Sequence, residues 1–143
     1  MGQVKAVYEE LQEFKDLAKK LVDKYPEMYG DVDIDKIKCL AINNKKRPEK
    51  RKLWEVKALP EFASAYCQYT HFGVIYLDDW NEMPKKIKHR LVSAILYAVS
   101  EEEGKVKAFD HKDYTIFDKT FGLDYLNDEN GPDPVEEDVK WVI

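Results

Sequence analysis

Leu91-Val92-Ser93-Ala94-Ile95-Leu96-Tyr97-Ala98-Val99 decides the fold, because Ser93 and Tyr97 carry the only side-chain polar groups in the stretch. A segment apolar nearly all round does not sit on a surface. It reads as the second half of a central buried helix that Pro84 opens, with Ile87, Leu91, Ala94, Ile95, Ala98 and Val99 along one side. Working outward toward the N-terminus, Phe72 to Leu77 is rich in aromatic and β-branched residues and reads as a strand. Pro60 to Cys67 reads as a brief helix, Leu53 to Leu59 as a second strand, and Ile37 to Ile42 as a mostly apolar strand. The polar run Asn43-Asn44-Lys45-Lys46-Arg47-Pro48 between the last two is expected to be the tip of a hairpin. Val4, Val7, Tyr8, Leu11, Phe14, Leu17, Ala18, Leu21, Val22 and Tyr25 recur at spacings of three and four, which predicts an amphipathic helix ended by Pro26 and Gly30. On the C-terminal side, Asp113 to Phe121 reads as a short helix with Gly122 as a left-handed cap.

The order of elements predicts an α+β domain: a three-stranded sheet packed with an N-terminal helix, the central apolar helix and a short C-terminal helix. That domain is expected over 1–125. The remainder, 126–143, is expected to be an acidic C-terminal tail, because residues 124–138 hold seven acids and no base together with Gly131, Pro132 and Pro134. Trp141-Val142-Ile143 is its expected anchor.

The chain of 143 residues has 23 basic and 28 acidic side chains, a net charge of -5. That balance disfavours generic nucleic-acid binding. Cys39 and Cys67 form no CxxC pair, so reduced thiols are expected. No apolar run approaches the ~20 residues of a membrane span, and the opening MGQVKAVYEELQ lacks the apolar block of a secretory signal. The expectation is a cytoplasmic protein without membrane contact, in the host cytoplasm if phage-encoded.

The amphipathic first helix, the strand with its basic turn, the aromatic strand ending near Trp80, the apolar helix, and the run from Asp110-His111-Lys112-Asp113-Tyr114 to Phe121-Gly122-Leu123-Asp124-Tyr125 together resemble the phage metallopeptidase family, zincin-like and related to the SprT type. The resemblance covers roughly residues 4–125. It implies a zincin-like fold and places a His-Glu-x-x-His motif on the apolar helix, where two histidines four apart bind zinc and the glutamate serves the metal-bound water as general base. Aligned through the aromatic-Gly-Leu-Asp-aromatic ending, the ligand positions fall on Ser93, Tyr97 and Phe109 and the base on Ala94. None of these residues does that chemistry at neutral pH. No zinc, other metal or cofactor is therefore expected. Tyr97 is expected to fill the vacated pocket and Ser93 to bond its own helix backbone.

Other chemistry is weak. Cys67 and His71 are four apart but head into a strand, which separates them, and Cys67 reads as a buried structural cysteine. Asp78-Asp79 and Glu101-Glu102-Glu103 read as solvated surface. Lys45, Lys46, Arg47, Lys50, Arg51 and Lys52, against the single acid Glu49, form the one concentrated basic segment, with Trp54 beside it as a stacking surface. The acids of the tail, including Asp128, Glu129, Asp133, Glu136, Glu137 and Asp138, are the opposite candidate for partner binding.

These readings converge on a non-catalytic pseudo-metallopeptidase of phage or prophage type that binds another protein. Its expected form is an inhibitor of a bacterial defence complex, with the acidic tail meeting a basic surface. The rivals are a metal-dependent hydrolase with misassigned ligands, and a nucleic-acid-binding module using residues 45–52.

Overall fold

The computed structural model describes residues 5–99, 114–121, 125–126 and 131–141. Strand alternation sorts its sheet into two faces. In β2 (Ile37–Ile42), Ile37, Cys39 and Ala41 are buried in the core, and in β4 (His71–Tyr76), His71, Gly73 and Ile75 face the same way. The sheet among the described residues has four strands, not three, in the order β1 (Tyr8–Glu10), β2, β4, β3 (Trp54–Ala58). β2 and β4 run parallel, pairing Ile37 with His71 through Ile42 with Tyr76, while β3 (Trp54–Ala58) lies antiparallel on the outer edge of β4. The expected hairpin between β2 and β3 therefore does not form. β4 inserts between them, and the basic segment becomes a crossing loop at one end of the sheet.

The fourth strand comes out of the predicted N-terminal helix. β1 (Tyr8–Glu10) pairs antiparallel with Leu40 to Ile42, and the helix α1 begins only at Gln12 and runs to Lys24. Helical spacing through Tyr8 is overridden by tertiary pairing. Asn44 accepts from the Val7 amide at 2.7 Å, Asn43 donates to Glu9 at 2.8 Å, and Lys38 meets Glu10 at 3.0 Å. Pro26 stops α1 as expected but also opens a one-turn helix, α2 (Pro26–Tyr29). A 3-10 turn (Ile34–Lys36) leads into β2.

α3 (Glu61–Cys67) links β3 to β4 and ends at Gln68, whose φ of 70° makes the left-handed turn back to the sheet. α4 (Leu77–Glu82) takes over where the predicted third strand was to end. α5 (Lys85–Ala98) is the expected central helix, with Leu91 through Leu96 all buried. It crosses the sheet at Gly73, where an added methyl would lie 3.8 Å from Ile95 Cγ2. α1 packs beside it through Phe14, Leu17, Ala18 and Leu21. α6 (Thr115–Phe121) closes this layer with Phe117 and Phe121 in the core. No helix among the described residues is long and apolar enough to cross a membrane.

Residues 131–141 are a strap rather than a solvated tail. Trp141 sits edge-on to Tyr25, Phe117 and Phe121 with centroids 5.3 to 5.5 Å apart. Tyr25 Oη donates to the Pro134 carbonyl at 2.7 Å and accepts from the Val139 amide at 3.1 Å. Lys24 donates to the Val135 carbonyl at 3.1 Å and to that of Glu137. Arg90, fully buried on α5, donates from Nε to Pro132 at 2.9 Å and from Nη1 to Tyr125 at 2.7 Å. Gly131 fits against that guanidinium because it lacks a side chain; a Cβ there would lie 2.5 Å from Arg90 Nη2.

Candidate functional site

On α5, Ser93 and Ala94 are fully buried and Tyr97 is half-buried. Tyr97 packs edge-on to Tyr114 at 4.8 Å and to Phe117 at 5.5 Å, so an aromatic cluster occupies this side of the helix. The expected backbone bond of the Ser93 side chain does not form: among the described residues its Oγ has no hydrogen-bond partner, while Tyr29 Oη donates to the Ser93 carbonyl at 3.2 Å. Burial drives the Tyr29 phenol well above its ordinary pKa, so it stays protonated as that donor. Phe109, like Asp110, His111, Asp128, Glu129 and the Glu101-Glu102-Glu103 run, lies outside the described residues.

One turn before Ser93 is a pair that sequence reasoning missed. His89 and Asp133 are both buried, with Nδ1 and Oδ1 2.7 Å apart. A carboxylate only accepts, so Nδ1 is the donor. The same Oδ1 accepts from the Val135 amide at 2.9 Å and the Glu136 amide at 3.3 Å, and the Glu137 carboxylate accepts from the Asp133 amide at 2.8 Å. This arrangement orients an imidazole, but its second ring nitrogen meets no free nucleophile in the hydrogen bonds of the described residues. Its visible work is to lock the strap onto α5.

Of the acidic-tail candidates that geometry takes Asp133 off the surface, while Glu136, Glu137 and Asp138 are exposed. Asp133 is interior, Glu137 caps the strap's own turn, Glu136 pairs with Lys85 at 2.8 Å, and Asp138 lies 3.5 Å from Lys24. The acids of 133–138 have partners inside the molecule. The pairs formed by Glu136 and Asp138 are exposed and weak.

The basic segment divides differently. Arg47 bonds Asp79 at 3.0 Å and the Arg51 carbonyl at 2.9 Å, tying the loop to α4, so Asp79 is a structural partner rather than solvated surface. Lys45, Lys46, Lys50, Arg51 and Lys52 are exposed. Trp54 is not the expected stacking surface, because alternation turns it into the core opposite Ile75.

The groove beside this loop, ≈ 1300 Å³, is lined by Leu40, Ile42, Phe72, Val74 and Tyr76 of the sheet face turned away from the helices, and also by Trp54, Val56 and Tyr114. Cys39 is buried, which pushes its thiol up to about 12. Cys67, expected inside, is exposed at the end of α3, and His71 is buried in β4 with Nδ1 2.9 Å from Thr70 Oγ1, so the two do not form a ligand pair. Among the described residues no group of three or more His, Cys, Asp or Glu could hold a metal ion.

The sequence reading places α3 but misses its exposed aromatic pair; the helix buries no residue. Phe62 and Tyr66, one turn apart on it, are 79% and 96% exposed. The signal was an aromatic pair four apart in a helix too short to have both a buried and a solvated face. Comparison with known proteins finds no matching family, no similar characterised protein and no similar solved structure.

Proposed function

We propose that the chain is a non-catalytic, zincin-like binding protein of phage or prophage type, working by association with a protein partner, and that inhibition of a bacterial defence complex is its specific form. The observation that carries the association is α3. Large aromatic side chains exposed on a helix without an apolar underside cost solubility, and in other proteins such groups anchor interfaces by filling pockets on the partner. On this reading the partner presents an apolar pocket to α3. The non-catalytic half of the reading is supported by the chemistry of Ser93, Ala94 and Tyr97, which offer no strong zinc ligand and no general base.

The test passes a bacterial lysate over the immobilised chain and over a Phe62→Ala/Tyr66→Ala variant of equal melting temperature. A protein held in stoichiometric amount by the first and lost by the second is the expected result. Equal retention by both would move the interface off α3. Peptide hydrolysis by the purified chain, abolished by a chelator, would overturn the reading altogether.

A further inference from the structure

We propose that the sheet face turned away from the helices binds single-stranded nucleic acid, an activity beyond the protein association carried by α3. Residues paired across strands share a face, so the register places Lys57, Phe72 and Lys38 in one row and Tyr76, Ile42 and Tyr8 in another. The first row sets an aromatic ring between two lysines. The second sets two phenols on either side of Ile42, which is buried; Tyr8 is 54% exposed, and Tyr76, like Phe72, is half-buried. Tyr69 extends the first row, 5.9 Å from Phe72 and 5.5 Å from the Lys38 ammonium.

Aromatic rings interleaved with cations are the chemistry of a stacking platform, where bases lie on rings and phosphates meet ammonium groups. The groove of ≈ 1300 Å³ provides the floor, and Lys45 and Lys50 line it from the crossing loop. Lys46 is exposed in the same loop.

Two carboxylates share the face, in the row between: Glu55 and Glu10. Each is already engaged, Glu10 by Lys38 at 3.0 Å and Glu55 by Lys57 at 3.3 Å and Arg51 at 3.7 Å. Exposed pairs of this kind are weak enough for a phosphate to compete with them. The net charge of -5 does not oppose the site directly, because the strap acids Asp133, Glu136, Glu137 and Asp138 attach to the helical layer on the other side of the sheet. A strand of unpaired bases suits this face better than an acidic peptide does, because two rows of rings give bases a place to stack and a peptide no comparable gain. It also suits the face better than a duplex, whose base faces are hidden.

The experiment is fluorescence anisotropy on the full chain with labelled oligo-dT and oligo-U of about 20 nucleotides, longer than the usual footprint of one such platform. A duplex of the same length and a polyglutamate peptide serve as comparators. The expected result is saturable binding of the single strands at low salt that weakens as salt rises, with duplex and polyglutamate each at least about tenfold weaker. Lys45→Glu/Lys46→Glu/Lys50→Glu, all exposed, is expected to weaken binding by more than about tenfold and to flatten the salt dependence. Tyr8→Ala and Phe72→Leu are expected to weaken it about fivefold to tenfold without changing the salt dependence.

Absence of single-strand binding at low salt overturns the proposal. So does equal binding of duplex, or losses confined to the lysine variant, since both describe a polyanion sink without stacking. Polyglutamate binding as tight as oligo-dT overturns it in favour of an acidic protein segment. None of these outcomes touches α3, so Phe62→Ala/Tyr66→Ala, expected to bind oligo-dT like the parent, keeps the two readings separate.

Discussion

Asp133→Ala removes one carboxylate that holds three donors: the buried His89 ring nitrogen at 2.7 Å and the amides of Val135 and Glu136 at 2.9 and 3.3 Å. The imidazole is left inside the protein with no acceptor, and a buried donor so abandoned costs about 1 to 3 kcal/mol. The two amides lie nearer solvent and add about 1 kcal/mol together, for a total of about 3 kcal/mol. At about 3 °C per kcal/mol for a chain of this size, the melting temperature should fall by about 10 °C. Asp133→Asn keeps an acceptor oxygen at the same position and should lose about 1 kcal/mol. Glu136→Ala and Asp138→Ala remove exposed ion pairs and should stay within about 0.5 kcal/mol of the parent. Urea titration followed by circular dichroism measures all four, with unchanged slopes confirming that the same cooperative unit unfolds. An Asp133→Ala variant within about 0.5 kcal/mol of the parent would refute the strap as part of the fold, because that is the cost of a surface change.

Leu91→Ala or Ile95→Ala, each at a fully buried position of α5, should cost about 2 to 5 kcal/mol in the same titration. Ser93→Ala should instead raise stability by about 1 kcal/mol, because it removes a buried hydroxyl that has no partner among the described residues; a loss would reveal a bond to that oxygen. Under native conditions a thiol reagent should label Cys67 and leave Cys39 untouched until the chain is unfolded; simultaneous labelling would contradict the packing of β2. Stability should fall in alkali: burial raises the Cys39 thiol to about 12 and the Tyr29 phenol well above its ordinary value. The unfolded chain therefore loses these protons first, and the stabilisation present below about pH 9 declines above it. A flat pH profile of unfolding between about pH 9 and 11 would count against that burial.

The parts of the fold legible in the sequence are those that local pattern determines. Leu91 to Val99 has no polar side to turn outward, and Pro84 marks where it begins, so α5 could be read directly. β2, β3, α3 and β4 were legible to within a residue or two for the same reason. Pairing order was not, because β2 and β3 are separated by a turn-like segment whether or not β4 inserts between them. Tyr8 to Glu10 carries helical spacing and becomes a strand through partners some thirty residues away, which no local window contains.

The strap was hidden by its composition, since seven acids among prolines read as a solvated tail. The clue lay elsewhere, in His89 and Arg90 at the threshold of an apolar helix. A guanidinium buried there needs acceptors, and Pro132 and Tyr125 supply them. Of the candidate site, the basic loop was legible from charge alone. The aromatic rows were not, because Phe72 and Tyr76 join Tyr8 only through the register.

The central claim, a domain that works by binding rather than by metal chemistry, is tested most directly by elemental analysis of the purified chain together with its melting curve in the presence of a chelator. Zinc well below one equivalent and an unchanged melting temperature are predicted, because Ser93, Ala94 and Tyr97 provide no strong ligand set on α5. Zinc near one equivalent, removed by chelator with a large drop in stability, would contradict the account.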